Sequence, residues 1–185
     1  MKNKKEMVFI TGNANKAQYL ADYFHIPVKH QKLDLPEIQS LSGQEVVEDK
    51  ARRAFAITGK PVLVEDVSLV FHALGKLPGP FIKWFEYSLG HKGLCKLLDG
   101  YDDRTATAAV TYCYCDESGV KIFEGTMHGY ISGEPRGTDI FGWDVIFIHE
   151  GDTRTRAELP RDEWSSKSMR TEALHKLALF LRGNA

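Results

Sequence analysis

Thr11-Gly12-Asn13-Ala14-Asn15-Lys16 sets a glycine that permits a tight turn among a hydroxyl, two amides and an ammonium group, directly after the first apolar run. If a helix opens there, its N–H groups point outward and, with Thr11, Gly12, Asn13 and Lys16, suit an anion such as a phosphate. The spacing and flanking glycines of a Walker A loop are missing. A helix cap beside one exposed lysine is the plainer reading of the same residues. Glu37 follows Leu33-Asp34-Leu35-Pro36, and Glu65-Asp66 follows Val62-Leu63-Val64. Carboxylates converging from a loop and a strand end could hold a hard cation such as Mg²⁺, which keeps several waters and takes the rest of its shell from substrate phosphates. Alternatively, Asp66 caps a turn and Glu37 is solvated. In Phe141-Gly142-Trp143-Asp144 the aromatics could stack on a base while Asp144 accepts a hydrogen bond from it; an aromatic turn covering the core is the other reading.

The elements that must position these residues follow from periodicity. Residues 8 to 11 read as a buried strand, Gly12-Asn13 as a turn, and Ala17, Leu20, Ala21 and Phe24 as one face of a helix. Residues 25 to 30 look extended. Val46, Val47, Ala51, Ala54 and Phe55 mark a second helix, with Ser42 as its cap and Gly59 as its stop. Pro61 to Val64 is a second buried strand, expected to end at Glu65-Asp66. Leu74 to Pro80 is too rich in Gly and Pro for regular structure. Residues 81 to 98 predict a helix broken near Gly90, and Thr105 to Cys115, Asp116-Glu117-Ser118-Gly119 and Val120 to Ile131 predict an antiparallel hairpin. A last helix from about Ser168 to Leu181 carries Ala173, Leu174, Leu177, Ala178 and Leu181 on one stripe. The composite is an α/β domain with a mixed β-sheet flanked by helices.

The chain has 185 residues, with 24 Lys and Arg against 25 Asp and Glu, a net charge of -1. That balance argues against binding polymeric nucleic acid through a basic surplus, although one nucleotide remains compatible. A hydrophobic content of 43% supports a packed core. No window approaches a membrane-spanning run, the N-terminal segment is wrong for export, and the expected compartment is cytoplasmic. Cys95, Cys113 and Cys115 form neither an even disulfide framework nor a two-pair zinc pattern, and Cys113 and Cys115 read as small buried hydrophobes on one strand face.

Six segments in order resemble the inosine triphosphate pyrophosphatase family: Thr-Gly-Asn-x-x-Lys at 11 to 16, Asp-Leu-Pro-Glu at 34 to 37, Val-Leu-Val-Glu-Asp at 62 to 66, Leu-Pro-Gly-Pro-Phe-Ile-Lys-Trp-Phe at 77 to 85, Pro-Arg-Gly at 135 to 137 and Phe-Gly-Trp-Asp at 141 to 144. The resemblance implies an elongated fold of two lobes around a cleft, a homodimer, and Mg²⁺-dependent hydrolysis of ITP, dITP or XTP to the monophosphate and pyrophosphate. It implies that Thr11, Asn13 and Lys16 hold the triphosphate, with Lys50 and Lys83 as further contacts. Glu37 and Asp66 would bind the metal, Asp66 would take a proton from the attacking water, and Phe141, Gly142, Trp143 and Asp144 would hold base and sugar.

The chain departs from the family pattern at two places. Val67 stands where the family has Ser or Thr. Near the C-terminus, Lys-Asn-x-x-Ser-His-Arg appears as Trp164-Ser165-Ser166-Lys167-Ser168-Met169-Arg170, so Ser168 and Arg170 match while Trp164, Ser165 and Met169 do not. That segment helps the family read the six-keto group. Lys167 could supply the missing charge, or Trp164 and Met169 could cover a different base or pack at the start of the last helix. The same reaction on another base set, and a nucleotide-binding protein without turnover, are the alternatives.

Overall fold

The computed structural model describes residues 7–25, 27–138, 142–166 and 168–183. The apolar run Val8–Ile10 forms strand β1, and Asn13 opens helix α1 (Ala14–Phe24) by accepting from the backbone N–H groups of Asn15 at 3.0 Å and Lys16 at 3.4 Å. The extended stretch that follows contains only a two-residue strand, β2 (His30–Gln31). Helix α2 (Gly43–Thr58) has the predicted ends: Ser42 accepts from the Glu45 N–H, and Gly59 takes the left-handed conformation at φ 62°.

Strand β3 (Val62–Phe71) corrects an expectation, because it does not end at Glu65-Asp66. Leu69 and Phe71 resume a buried alternation beyond the two carboxylates, and Leu69 pairs with Gly79 in β4 (Pro78–Gly79). The two acids therefore sit in mid-strand. The segment from 74 to 80, expected to be irregular, holds this short strand after a 3-10 turn at His72–Leu74. Gly79 has φ 59°, and a Cβ there would lie 2.7 Å from the Lys76 carbonyl oxygen.

Helix α3 (Ile82–Lys96) is interrupted at Gly90, as predicted. Strands β5 (Thr105–Asp116) and β6 (Gly119–Ile131) form the predicted hairpin, and β7 (Phe147–His149) pairs antiparallel with β6. Helices α4 (Arg161–Ser166) and α5 (Met169–Leu181) complete the described elements. The mixed sheet runs β2-β1-β3-β5-β6-β7, with β4 beside β3 and with β1 parallel to both β2 and β3.

Two compact units divide the chain. The first comprises residues up to Asp66, Thr111–Glu124 and residues from Ala173 onward; the second comprises Val67–Val110 and Gly125–Glu172. In the first, Ile10, Val47, Ala51, Ala54, Val62, Val64, Cys113 and Cys115 form one core cluster. Burial pushes the Cys113 thiol up to about 12, so this cysteine behaves as a packed hydrophobe rather than as a nucleophile. Phe180 of α5 packs edge-on against Tyr114 at 5.3 Å between centroids, whereas Leu181, placed on the buried stripe by its spacing, is 42% exposed. In the second unit, Arg104 donates to the carbonyls of Cys95, Ile131 and Ser132 and so ties α3 to the end of β6.

Candidate active site

The first unit gathers charged side chains around Asp66. Lys16, in the first turn of α1, lies 3.0 Å from Glu65 Oε1, and Lys50, on the inner half of α2, donates to Glu37 Oε1 at 2.6 Å. Asp66 Oδ2 is buried and has no hydrogen-bond partner among the described residues. Burial pushes the Asp66 carboxyl up from 3.8 to about 6; Lys50 and Lys16 pull it down, and Glu37 and Glu65 push it further up. Five of the charged groups singled out by the sequence thus share one electrostatic neighbourhood. Thr11 and Asn13 serve the turn: Thr11 Oγ1 accepts from the Asn13 N–H at 3.0 Å, and Asn13 Oδ1 caps α1. Gly12, between them, is exposed.

The second unit holds the remaining candidates. Lys83 is exposed on the first turn of α3, with Nζ 5.2 Å from the Trp84 ring centroid. Gly142 begins a 3-10 turn, Gly142–Val145, at φ 60°. Trp143 is buried edge-on against Phe147 at 5.5 Å, which agrees with an aromatic turn covering the core. Phe141 and Lys167 lie outside the described residues. Asp144 is 5% exposed and doubly bonded: Oδ1 accepts from Arg156 Nε at 3.0 Å and Oδ2 from Trp164 Nε1 at 2.9 Å. Arg156 also stacks on the Trp164 ring, 4.6 Å from its centroid.

At the start of α5, Ser168 and Arg170 are buried, and Ser168 Oγ accepts from the Arg170 N–H at 3.3 Å. Met169 is buried too, so it packs at the helix start, one of the two roles its position allowed. Ser165 accepts from Thr171 Oγ1 through its carbonyl at 3.2 Å, and Val67 is half-buried in β3.

Sequence reasoning missed Arg156. The Thr155-x-x-Glu158 spacing signals a capping box, which the structure contains, but nothing in the pattern marks the arginine inside it as 3% exposed. It also passed over Glu65 as the partner of Lys16, because a strand ending at Glu65-Asp66 would have left both acids at a solvated edge.

The arrangement in the first unit can neutralise a polyanion with two lysines while a carboxylate of raised basicity handles a proton. The arrangement in the second presents a fixed acceptor among aromatic side chains.

Known proteins point the same way. An inosine triphosphate pyrophosphatase of Yarrowia lipolytica is 44% identical over 184 residues, covering 97% of each chain. A HAM1 protein of Coxiella burnetii superposes with a TM-score of 0.87 at 27% identity, covering 97% of this chain and 99% of its own. A structure from Mycobacterium abscessus described as a nucleoside-triphosphatase and dITP/XTP pyrophosphatase superposes with a TM-score of 0.76 at 26% identity, over 92% of this chain and 97% of its own. The model of the Ham1 family matches residues 7–180, and by that match and by its identity with these relatives the chain belongs to the Ham1 family.

Proposed function

We propose that the protein hydrolyses ITP, dITP and XTP to the nucleoside monophosphate and pyrophosphate with Mg²⁺, removing deaminated purines from the nucleotide pool. The observation that carries this reading is Asp66, whose Oδ2 is buried without a hydrogen-bond partner beside two lysines and two glutamates. Most buried carboxylate oxygens that serve only the fold are satisfied; Glu65 Oε2 beside it lacks a hydrogen bond among the described residues too, but Glu65 keeps Lys16 at 3.0 Å. The names of the Yarrowia lipolytica and Mycobacterium abscessus proteins support the substrate class.

Mg²⁺ fits this donor set. Asp66 and Glu37, which act on each other electrostatically, offer hard carboxylate oxygens that suit a cation able to keep waters and share substrate phosphates. When bound, it supplies positive charge against the phosphate oxygens.

Lys16 and Lys50 exchange their carboxylate partners for phosphate oxygens, and the exposed Lys83 adds a further contact. Thr11, Gly12 and Asn13 bring the turn that opens α1 to the same phosphates. Asp66, ionised near neutral pH, orients a water and takes its proton. The water oxygen bonds to the α-phosphorus, the bridge to the β-phosphate breaks, and pyrophosphate leaves with the bonding pair. Phe141, Gly142, Trp143 and Asp144 hold base and sugar, with Ser168 and Arg170 beside them. We place the enzyme in the cytoplasm as a homodimer, which sedimentation tests.

The deciding experiment measures pyrophosphate release across ITP, XTP, GTP, ATP and the pyrimidine triphosphates. A preference for ITP or XTP is expected; equal rates across the panel would overturn the substrate assignment, and nucleotide binding without turnover would overturn the reaction.

A further inference from the structure

Asp144, Arg156 and Trp164 form a mutually linked set of three side chains. Arg156 Nε and Trp164 Nε1 each donate to a different oxygen of the same carboxylate, and the guanidinium lies over the indole, so each member fixes the other two. Arg156 Nη1 also reaches Met127 Sδ at 3.1 Å. Its backbone is held in turn: Thr155 Oγ1 donates to the Arg136 carbonyl at 2.9 Å, and Gly137 passes so close that a Cβ there would lie 2.6 Å from the Ala157 carbonyl carbon.

The chemistry of this set is directional. A guanidinium and an indole N–H are donors only, so each must meet the carboxylate at an oxygen acting as acceptor. A carboxylate has about four acceptor positions, and two donors occupy two of them. What remains is an acceptor whose direction the two donors fix. Such a group accepts the N1–H of a 6-oxopurine and repels the N1 lone pair of adenine.

We propose that Arg156 and Trp164 are positioning residues that hold Asp144 as a fixed acceptor for purine N1–H, so that 6-oxopurines are selected over adenine through this one atom. The proposal rests on the reading of Asp144 as a base contact. Neither Arg156 nor Trp164 needs to touch the substrate: the single N–H of the indole is already directed at the carboxylate.

The test is equilibrium binding of IMP and AMP by calorimetry, which requires no turnover. Wild type is expected to bind IMP at least about tenfold more tightly than AMP, the scale of one hydrogen bond to a charged group. Trp164→Phe keeps an aromatic ring for Arg156 to stack on and removes the N–H along with the second ring; it is expected to shrink the IMP:AMP ratio at least about threefold through weaker IMP binding. An unchanged ratio in the folded variant, or no ratio in wild type, would overturn the proposal. The wild type with 1-methylinosine monophosphate gives a second reading independent of any variant's folding: binding about tenfold weaker than IMP is expected, and equal binding overturns the proposal. Absence of ITP hydrolysis with IMP selectivity intact would remove the assigned reaction and leave this inference standing.

Discussion

Two aspartates, one in each compact unit, are treated in opposite ways by the fold. Asp144 is fully furnished, with a charged donor on one oxygen and an indole N–H on the other. Asp66 has a buried oxygen with no hydrogen-bond partner among the described residues, and burial raises its carboxyl to about 6. A satisfied carboxylate is fixed in place, which suits recognition. An under-bonded one keeps its basicity and its capacity for a new partner, which suits chemistry. The lysines around Asp66 moderate its electrostatic cost without satisfying Oδ2.

The same substitution should therefore act with opposite sign on stability at the two positions. Asp144→Asn leaves Arg156 buried without its counter-charge, and a loss of about 3 kcal/mol is expected by urea denaturation; a loss below about 1 kcal/mol would mean the clamp contributes little. Asp66→Asn removes a carboxylate that burial penalises, and a gain of up to about 3 kcal/mol is expected in metal-free buffer near pH 7.5, the free energy of the shift from 3.8 to about 6. Because the folded-state value lies above the unfolded one, the folded protein binds the extra proton. This group's penalty is therefore absent well below pH 3.8, grows between 3.8 and about 6, and is constant above that. Wild type with chelator should lose stability across that window relative to Asp66→Asn, and parallel stability curves would contradict the shift.

Smaller effects sharpen the contrast within the first unit. Lys16→Met removes the ammonium paired with Glu65, whose side chain is 2% exposed, and should lower stability by about 1–3 kcal/mol while raising KM for the triphosphate. Measured below about pH 6, where Asp66 carries its proton, Lys50→Met loses chiefly the pair with Glu37, 46% exposed, and its stability change should stay within about 1 kcal/mol. If the two lysine variants were equally destabilised, burial of the partner would not be what separates them.

Much of this was legible in the residues. The Asn13 and Ser42 caps, the Gly59 stop, the break at Gly90 and the β5–β6 hairpin follow from local chemistry, and local chemistry is what a sequence displays. The charged cluster was legible only through its types: Lys16, Glu37, Lys50 and Asp66 are well separated in sequence, and periodicity does not bring them together. The misplaced end of β3 shows the opposite failure. Charge at Glu65-Asp66 reads as a strand end, whereas Lys16 compensates Glu65 from another element and the strand continues. Arg156 was hidden for the same reason, since its burial depends on Asp144 and Trp164, twelve positions before it and eight after.

The central claim is that Asp66 is left under-bonded because it takes part in the chemistry. Pyrophosphate release from ITP with Mg²⁺, measured for wild type and Asp66→Asn alongside their unfolding midpoints, tests it most directly. The account predicts a variant that is more stable without metal yet turns over at least about a hundredfold more slowly, the loss expected when about 2.7–4 kcal/mol of transition-state stabilisation is removed. A variant with near wild-type turnover would contradict it.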